Sequence, residues 1–334
     1  MSFSPPLLLD AEVPPGRVPM LEVDALGDGP SWAATHRDPL RAVVIDHGAV
    51  LVRGLGLRDA AEVTSVFGTL ATAGLMRERE AFAERRTYSD GVYSSTKWPP
   101  NQVMCMHHEL SYRLEFPGLM QFACLSAPTQ GGATGVADAG AVLDALPEIL
   151  VERLEREGWV LVRNYNEEIG ASVTEAFGTE DRGAIESYCR ANAIEFEWQH
   201  DGGLRTWQRR SAVVRHPVTG RRCWFNQIAF LNEWTLDSEV REFLVDAYGP
   251  EGLPFTTCFG SGDPIREDVV ELVNEVYTAK TRREPWQAGD LMLVDNIQCA
   301  HSRETFTGPR EVLVGMADPV RLADCSPTVE VGAP

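Results

Sequence analysis

The residues best suited to chemistry in this sequence are His107, His108 and Glu109, together with His301 and Arg310 much later in the chain. On an extended segment, residues i and i+2 lie on the same face, so His107 and Glu109 would point together while His108 points away. Two histidines and one carboxylate form the facial triad that binds Fe(II) and leaves coordination positions open. The pattern therefore predicts a metal site formed by His107, Glu109 and His301.

Residue chemistry alone leaves other interpretations of this group open. A lone histidine is usually satisfied by hydrogen bonds in the core or at the surface, and two adjacent histidines before a glutamate only weaken that alternative. A His, Glu, His set also holds catalytic zinc, although the commonest zinc signature, two histidines on one helical turn around a glutamate, is absent. His108 would lie behind the metal or at the rim of a pocket.

The elements that must position these residues are strands with helices between them. Apolar runs predict β-type segments around a glycine turn over residues 42–54. They also predict strands over 119–126, 159–163, 290–295 and 311–318, and the last two flank His301 and Arg310. A hairpin is expected over 211–230, turning at 217–220. Helices are expected over 57–68, 139–156, 172–191 (with Ser172 as N-cap), 237–247 and 264–280. Strands from the middle and the end of the chain, covered by helices, predict a mainly β fold, a jelly-roll sandwich with helical cover.

Composition limits the class of protein and its partners. The 334 residues are 44% hydrophobic and 24% charged, which suits a globular chain with an ample core. The 30 Lys and Arg residues stand against 49 Asp and Glu residues, and the net charge of −19 repels nucleic acid and anionic lipid. We expect neither as a partner. The sequence does not indicate an oligomeric state.

Cysteine usage and the N-terminal sequence predict a location. The seven cysteines are scattered, odd in number and without a Cys-x-x-Cys pair, which favours free thiols in a reducing compartment. Residues 1–16 lack the basic start and apolar core of a signal peptide. No run reaches the roughly 18–20 apolar residues that a membrane helix needs. We therefore expect a cytoplasmic protein that does not contact a membrane.

Two segments give the candidate residues a family context: residues 107–138, HHELSYRLEFPGLMQFACLSAPTQGGATGVAD, and residues 289–318, GDLMLVDNIQCAHSRETFTGPREVLVGMAD. They resemble the taurine dioxygenase/TfdA-like superfamily of Fe(II)/2-oxoglutarate oxygenases, in which a His-x-Asp/Glu precedes a strand, a Pro-rich turn and a Gly-Gly-x-Thr. Glutamate in place of aspartate is similar to the clavaminate synthase and syringomycin-type amino-acid hydroxylase branch.

This resemblance spans roughly residues 42–318. It implies a single catalytic domain over 1–334 with a double-stranded β-helix (jelly-roll) core of the clavaminate synthase-like type. A helix-rich insertion, at about 139–285, would separate the two metal-bearing segments.

The resemblance also implies the cofactors and the residues that hold them. His107, Glu109 and His301 would bind Fe(II) and form the catalytic centre. Thr134, which follows Gly131-Gly132-Ala133, would donate its hydroxyl to the distal carboxylate of 2-oxoglutarate. With O2 as the oxidant, such a centre couples the conversion of 2-oxoglutarate to succinate and CO2 to the oxidation of an unactivated C–H bond.

Arg310 is the residue that the resemblance assigns to the same distal carboxylate, because its planar fork makes paired hydrogen bonds that a lysine does not. Arg303 is a rival, but it follows His301 by two residues and would lie too near the metal to reach the far end of the cosubstrate. A surface position at a strand edge is the other alternative for Arg310.

Substrate recognition is suggested by an arginine-rich stretch, residues 202–232, which contains no acidic residue and six arginines: Arg205, Arg209, Arg210, Arg215, Arg221 and Arg222. In a chain of net charge −19, this predicts a carboxylate-bearing substrate, or an acidic carrier protein that presents a tethered aminoacyl group. Solvated arginines along hairpin strands are the alternative. Candidate substrate contacts are His108, Arg205, Trp224, Asn226 and Gln227, although such a tryptophan is more often a core residue.

Two functions from different classes remain. The first is an Fe(II)/2-oxoglutarate hydroxylase that acts on a small molecule, an amino acid or its derivative, free or carrier-bound. Desaturation, epoxidation or cyclisation would use the same ligands, whereas related halogenases lack the carboxylate ligand. The second is a non-catalytic jelly-roll binding protein. The presence of His107, Glu109, Thr134, His301 and Arg310 together favours the enzyme, because a binding module needs no such set.

Overall fold

The structure is a computed structural model that describes residues 11–25, 27–78, 80, 85–200 and 202–330. Its strands are β1 (Met20–Glu22), β2 (Ala49–Arg53), β3 (Thr87–Ser89), β4 (Val92–Ser94), β5 (Met104–His107), β6 (Glu115–Ser126), β7 (Gln130–Gly131), β8 (Thr134–Asp138), β9 (Trp159–Tyr165), β10 (Glu195–Trp198), β11 (Leu204–Arg210), β12 (Val213–Arg215), β13 (Arg222–Trp224), β14 (Phe255–Phe259), β15 (Thr281–Arg282), β16 (Leu291–Asp295), β17 (Cys299–Arg303), β18 (Phe306–Thr307) and β19 (Glu311–Arg321).

Helices lie between the strands. They are α1 (Gly29–His47), α2 (Ala60–Leu70), α3 (Ala139–Leu143), α4 (Glu148–Glu157), α5 (Val173–Phe177), α6 (Arg182–Ala191), α7 (Ser238–Tyr248) and α8 (Glu267–Lys280), with short 3-10 helices at Glu233–Thr235 and Leu322–Cys325. In the described part of the chain, no helix is both long and apolar enough to cross a membrane.

Two sheets form the predicted jelly-roll. The larger has the strand order β1-β2-β16-β6-β19-β4-β3, and the smaller has the order β15-β8-β17-β5. One hydrophobic cluster joins them, since it includes Met106 and Val136 of the smaller sheet and Phe122 and Val314 of the larger one. The prediction of a mainly β jelly-roll core with helical cover is confirmed.

Strand β6 explains why the larger sheet is covered on both faces. Successive side chains of a strand point to opposite faces. Met120 and Phe122 belong to the cluster shared with the smaller sheet, while Leu119 and Ala123 pack with α1 and α2 in a second cluster. The helices therefore cover the outer face and leave the inner face for the site.

Three element predictions were wrong at their boundaries. The expected strand over 42–54 begins only at Ala49, because residues 42–47 complete α1 and Gly48, at φ 77°, ends that helix. Leu40, Val43 and Val44 are buried with helical spacing, which the β-type composition concealed. The expected helix over 139–156 is divided before Pro147, and that over 172–191 is divided at Gly178. Ser172 is the N-cap, as predicted, and it forms a capping box with Glu175.

The region between the metal-bearing segments contains more strand than the predicted helix-rich insertion. Strands β10-β11-β9-β14 form a separate four-stranded sheet, and β12 and β13 form the expected hairpin. Strand β15, at the end of this region, pairs with β8 and so completes the smaller jelly-roll sheet. Trp159 and Leu161 of the insertion belong to the main hydrophobic cluster. A single domain stays our prediction.

Candidate active site

Adjacent strands of the smaller sheet bring the predicted metal ligands together. His107 is the last residue of β5, and the register of the sheet pairs it with His301 in β17. Glu109 follows β5 directly. One ligand atom from each of the three residues lies within 4.8 Å of the other two, and all three residues are buried. Nε2 of His107 lies 3.8 Å from Oε2 of Glu109, and Nε2 of His301 lies 3.6 Å from the same oxygen.

Glu109 reaches this position by a turn and not by a continued strand. Strand β5 ends at His107, and Glu109 and Leu110 lie in a turn in which Leu110 has a positive φ of 54°. Asn296 fixes the turn, since its Oδ1 accepts from the Glu109 N–H at 2.8 Å and its Nδ2 donates to the Glu109 carbonyl at 2.9 Å. The expected extended His-x-Glu segment was therefore wrong in its backbone, although the two side chains do converge.

Hydrogen bonds orient the first histidine. Nδ1 of His107 lies 2.8 Å from the Cys105 carbonyl, so this nitrogen carries the proton and Nε2 presents its lone pair to the site. The ring of Phe230 stacks on His107 with centroids 4.3 Å apart. This arrangement fixes both the tautomer and the plane of the ring.

The electrostatics of the triad suit a cation. Burial lowers the pKa of His301 to about 4, which keeps its ring neutral. Burial alone would raise the pKa of Glu109, but the Arg85 guanidinium and the two histidines outweigh it and hold that pKa well below its usual range. Nδ1 of His301 is buried without a hydrogen-bond partner in the described residues. Two imidazoles and one carboxylate, held beyond hydrogen-bond distance of one another, fit a divalent metal such as Fe(II).

Thr134 and Arg310 line the same cavity as the triad. The Arg310 Nε donates to the Gly132 carbonyl at 3.0 Å, and its Nη1 lies 3.4 Å from the Ser95 hydroxyl. Burial, reinforced by nearby Arg303, lowers the pKa of Arg310 to about 10. Among the described residues, no carboxylate forms an ion pair with this cation, so the cavity holds a guanidinium suited to an anionic ligand.

The glycine pair before Thr134 permits this arrangement. Gly131 and Gly132 both have positive φ, 66° and 70°. A Cβ on Gly131 would lie 2.2 Å from the Thr305 carbonyl oxygen, and one on Gly132 would lie 3.2 Å from Cδ of Arg310. The glycine pair forms a turn. The absence of a side chain at Gly132 also leaves room for the side chain of Arg310.

Arg303, the rival to Arg310, has a different set of partners. Its guanidinium donates to the carbonyls of Trp98, Pro99 and Gln102 at 2.7–3.0 Å. Arg303 lines the cavity but is committed to the backbone of the loop before β5. The contacts favour Arg310 as the residue available to a cosubstrate.

The five predicted substrate contacts lie elsewhere, since none lines the triad cavity: His108, Arg205, Trp224, Asn226 and Gln227. His108 points away from the triad, as expected, and its Nδ1 lies 2.6 Å from the Asn296 carbonyl, with burial lowering its pKa to about 3. The Gln227 amide donates to the His108 carbonyl at 2.7 Å. These two residues thus support the metal-bearing turn from behind, and their role in substrate binding stays a prediction.

Half of the arginines in the arginine-rich stretch have carboxylate partners in the fold. Arg205, Arg221 and Arg222 form ion pairs with Glu251, Asp138 and Glu155, all from outside the stretch. The other three arginines donate to backbone carbonyls. Counting charges along the sequence did not reveal these partners. Of the two interpretations, the contacts favour paired surface arginines over a positive docking surface.

Sequence reasoning missed Arg85. Its buried side chain lines the triad cavity and donates to Oε1 of Glu109 at 3.0 Å. Arg85 also lines a larger cavity of about 900 Å³, between the segment before β4 and helices α5 and α6. No local motif marks this arginine, because its partner lies 24 residues away in sequence.

Comparison with known proteins defines the family. A family model described as "Taurine catabolism dioxygenase TauD, TfdA family" matches residues 18–317. The chain is 33% identical over 282 residues to dapdiamide synthesis protein DdaC of Enterobacter agglomerans, a match that covers 84% of this chain and 85% of that protein. It is 28% identical over 295 residues to a clavaminate synthase-like protein of Arabidopsis thaliana, with the same two coverages.

Solved structures share the fold. A putative α-ketoglutarate-dependent taurine dioxygenase from Burkholderia xenovorans superposes with a TM-score of 0.54 at 18% identity, covering 96% of each chain. PvcB, an Fe, α-ketoglutarate dependent oxygenase from an isonitrile synthetic pathway, gives a TM-score of 0.54 at 16% identity, also over 96% of each chain.

The fold and the site are those of an Fe(II)/2-oxoglutarate-dependent dioxygenase. The chain belongs to the TauD, TfdA family, as the resemblance predicted. Its cofactors are Fe(II) and 2-oxoglutarate, and the enzyme is favoured over a non-catalytic binding protein.

Proposed function

We propose that this enzyme hydroxylates an unactivated C–H bond of an amino acid or an amino-acid-derived small molecule in a biosynthetic pathway. His107, Glu109 and His301 hold Fe(II), and Arg310 and Thr134 bind the distal carboxylate of 2-oxoglutarate. When bound, the metal and the cosubstrate supply the oxidation by O2. The observation that carries the proposal is that one cavity contains both the buried triad and a guanidinium without a carboxylate partner among the described residues.

The protein's own groups prepare this cavity. The Cys105 carbonyl holds the Nδ1 proton of His107, so that Nε2 is available to the metal. The Gly132 carbonyl holds the Nε edge of Arg310, which orients the remaining fork toward an incoming carboxylate. Glu109 supplies the anionic ligand whose position a halide would otherwise take, and this supports hydroxylation over halogenation. Desaturation, epoxidation and cyclisation are alternatives that use the same ligands.

The substrate class rests on two observations. The relatives include a protein of dapdiamide synthesis and a clavaminate synthase-like protein. The cavity of about 900 Å³ has the size of small-molecule sites, and its lining includes both acidic and basic side chains, among them Arg77, Asp90 and Glu175. We infer that the substrate, free or presented by a carrier protein, approaches from this side. All seven cysteines are free thiols, which supports a cytoplasmic location.

The test is turnover of 2-oxoglutarate to succinate by the purified protein with Fe(II), O2 and a panel of amino acids, with mass spectrometry of the products. A product heavier by one oxygen atom supports hydroxylation, and one lighter by two hydrogens supports desaturation or cyclisation. A chlorinated product formed in high chloride would contradict the role of Glu109. Absence of 2-oxoglutarate turnover with every amino acid, whether free or carrier-tethered, would contradict the substrate class.

A further inference from the structure

Arg85 is a buried cation between two carboxylates. Its side chain is only 4% exposed. Nη2 lies 3.0 Å from Oε1 of Glu109, and Nε lies 3.1 Å from Oε1 of Glu78. The charged hydrogen bond from Nη2 to Glu109 orients the guanidinium, whereas the contact of Nε with Glu78 is an ion pair without hydrogen-bond geometry.

The two oxygens of Glu109 face different partners as a result. Oε1 accepts from Arg85, whereas Oε2 faces the Nε2 atoms of His107 and His301. The terminal torsion of a glutamate is broad, so loss of the Arg85 contact would remove the hydrogen bond that fixes Oε1. Glu109 could then offer both oxygens to a metal and occupy an additional coordination position.

We propose that Arg85 is a positioning residue that holds Oε1 of Glu109 away from the metal, so that Glu109 supplies one oxygen only. This keeps open the positions that 2-oxoglutarate and O2 require at a two-histidine, one-carboxylate centre. The inference rests on the proposed role of Glu109 as a ligand. It assigns to Arg85 no contact with the metal or the substrate.

The surroundings keep Arg85 in place. The backbone N–H of Glu78 donates to the Tyr93 hydroxyl at 3.0 Å, which ties Glu78 to β4. Glu80 is also anchored, since it accepts hydrogen bonds from Tyr188 at 2.5 Å and from Gln208 at 2.8 Å. Glu78 therefore contacts the jelly-roll side and Glu80 contacts the insertion side.

Charge gives the second argument. Glu109 shares the single positive charge of Arg85 with Glu78, so part of the Glu109 charge has no counter-ion in Arg85 before a metal binds. A divalent cation at the triad offsets this charge. Without Arg85, Oε1 of Glu109 would lose the cation that holds it and would be drawn toward the metal.

The experiment measures metal binding directly and needs no substrate. We would compare the wild-type protein with Arg85→Gln and Arg85→Lys, using calorimetric titration of the metal-free proteins with Mn(II) and the absorption spectrum of their Co(II) forms. Arg86→Gln is the matched control, because Arg86 is the neighbouring arginine and is exposed. Circular dichroism confirms that each variant is folded.

We expect Arg85→Gln to change the Co(II) spectrum and to alter the Mn(II) dissociation constant by about tenfold or more, as loss of a ligand's hydrogen-bond partner commonly does. Arg85→Lys should give a smaller change in the same direction, since the charge remains but the fork is lost. Arg86→Gln should match the wild type. If Arg85→Gln fails to fold, the Co(II) spectrum and the Mn(II) dissociation constant of Arg85→Lys decide whether Arg85 is a positioning residue.

His301→Ala separates the two proposals. If it abolishes Mn(II) binding while the folded Arg85 variants keep the wild-type spectrum and affinity, the triad is correct and the role of Arg85 is overturned. If it leaves Mn(II) binding unchanged, the metal site itself is wrong.

Discussion

Arg210 in the insertion and Arg310 beside the metal-bearing sheet are both largely buried cations. Burial lowers the pKa of each to about 10. Arg210 is saturated, since its guanidinium donates to four backbone carbonyls, those of Tyr112, Asn192, Ala193 and Arg209. Arg310 has one backbone partner at 3.0 Å and a long contact with Ser95.

The difference shows how a structural cation is distinguished from a binding cation. Desolvating a guanidinium is costly, and Arg210 recovers the cost within the protein by saturating its donors. Arg310 recovers little of this desolvation cost within the protein. A carboxylate of a bound ligand would therefore supply the hydrogen bonds that Arg310 lacks. The same contrast holds for the triad, whose three ligand atoms converge without ordinary hydrogen bonds among them. We expect substitution of Arg210 to affect stability, and substitution of Arg310 or a triad residue to affect ligand binding.

The largest effect is expected from His301→Ala. Removal of one of only three metal ligands should abolish Fe(II) binding and succinate formation. The metal-free protein should stay folded with a lower unfolding temperature, because the buried imidazole loses its packing against His107 and Phe122 but no hydrogen bond of Nδ1 among the described residues. Metal analysis, succinate assay and thermal unfolding measure the three quantities. His108→Ala should be milder, and complete loss in that variant with full activity in His301→Ala would overturn the triad.

Arg210→Met should be the most destabilising change in the comparison. It leaves four carbonyls without their donor and is expected to lower the free energy of unfolding by about 3–5 kcal/mol. Denaturant unfolding measures this loss. The folded fraction should bind 2-oxoglutarate with wild-type affinity, and a selective loss of that affinity would contradict the distinction between the two arginines.

Arg310→Lys should weaken 2-oxoglutarate binding and leave stability nearly unchanged, the reverse of Arg210→Met. It retains the charge but loses the fork, so the affinity for 2-oxoglutarate should fall about tenfold or more, from the loss of about 1.5–3 kcal/mol in charged hydrogen bonding. Titration of the Mn(II)-loaded protein with 2-oxoglutarate measures this, and denaturant unfolding should show little change. Arg303→Lys is the control. A larger loss of 2-oxoglutarate affinity in that variant would move the cosubstrate site to Arg303.

The sequence could predict the parts of the site whose residues are fixed by local patterns. The His107-x-Glu109 spacing, the glycine pair before Thr134 and the distal His301 all lie in two continuous segments that the family resemblance identified. The jelly-roll followed from the same segments and from the apolar strands around them. These features depend on short-range order, which a sequence displays directly.

The remaining features depend on contacts between distant segments. Arg85 reaches Glu109 across 24 residues, and Asn296 reaches the same turn across 187 residues. The arginine-rich stretch misled for the same reason, because its acidic partners lie in other elements. The expected helices are divided before Pro147 and at Gly178. The helical pattern of apolar residues in a sequence can therefore continue across a point where the helix is interrupted.

Arg222→Gln should have the smallest effect and completes the comparison. Arg222 is exposed and pairs with Glu155 at the surface, and such a pair contributes only about 0–1 kcal/mol to stability. Its removal should leave the unfolding midpoint, Mn(II) binding and 2-oxoglutarate affinity close to wild type. If a carrier protein docks on this stretch instead, Arg222→Gln would raise KM for a carrier-tethered substrate while leaving turnover of the free amino acid unchanged. Kinetics with both forms of the substrate therefore distinguish a paired surface arginine from a docking residue, and on the contacts seen here we expect equal values for the variant and the wild type.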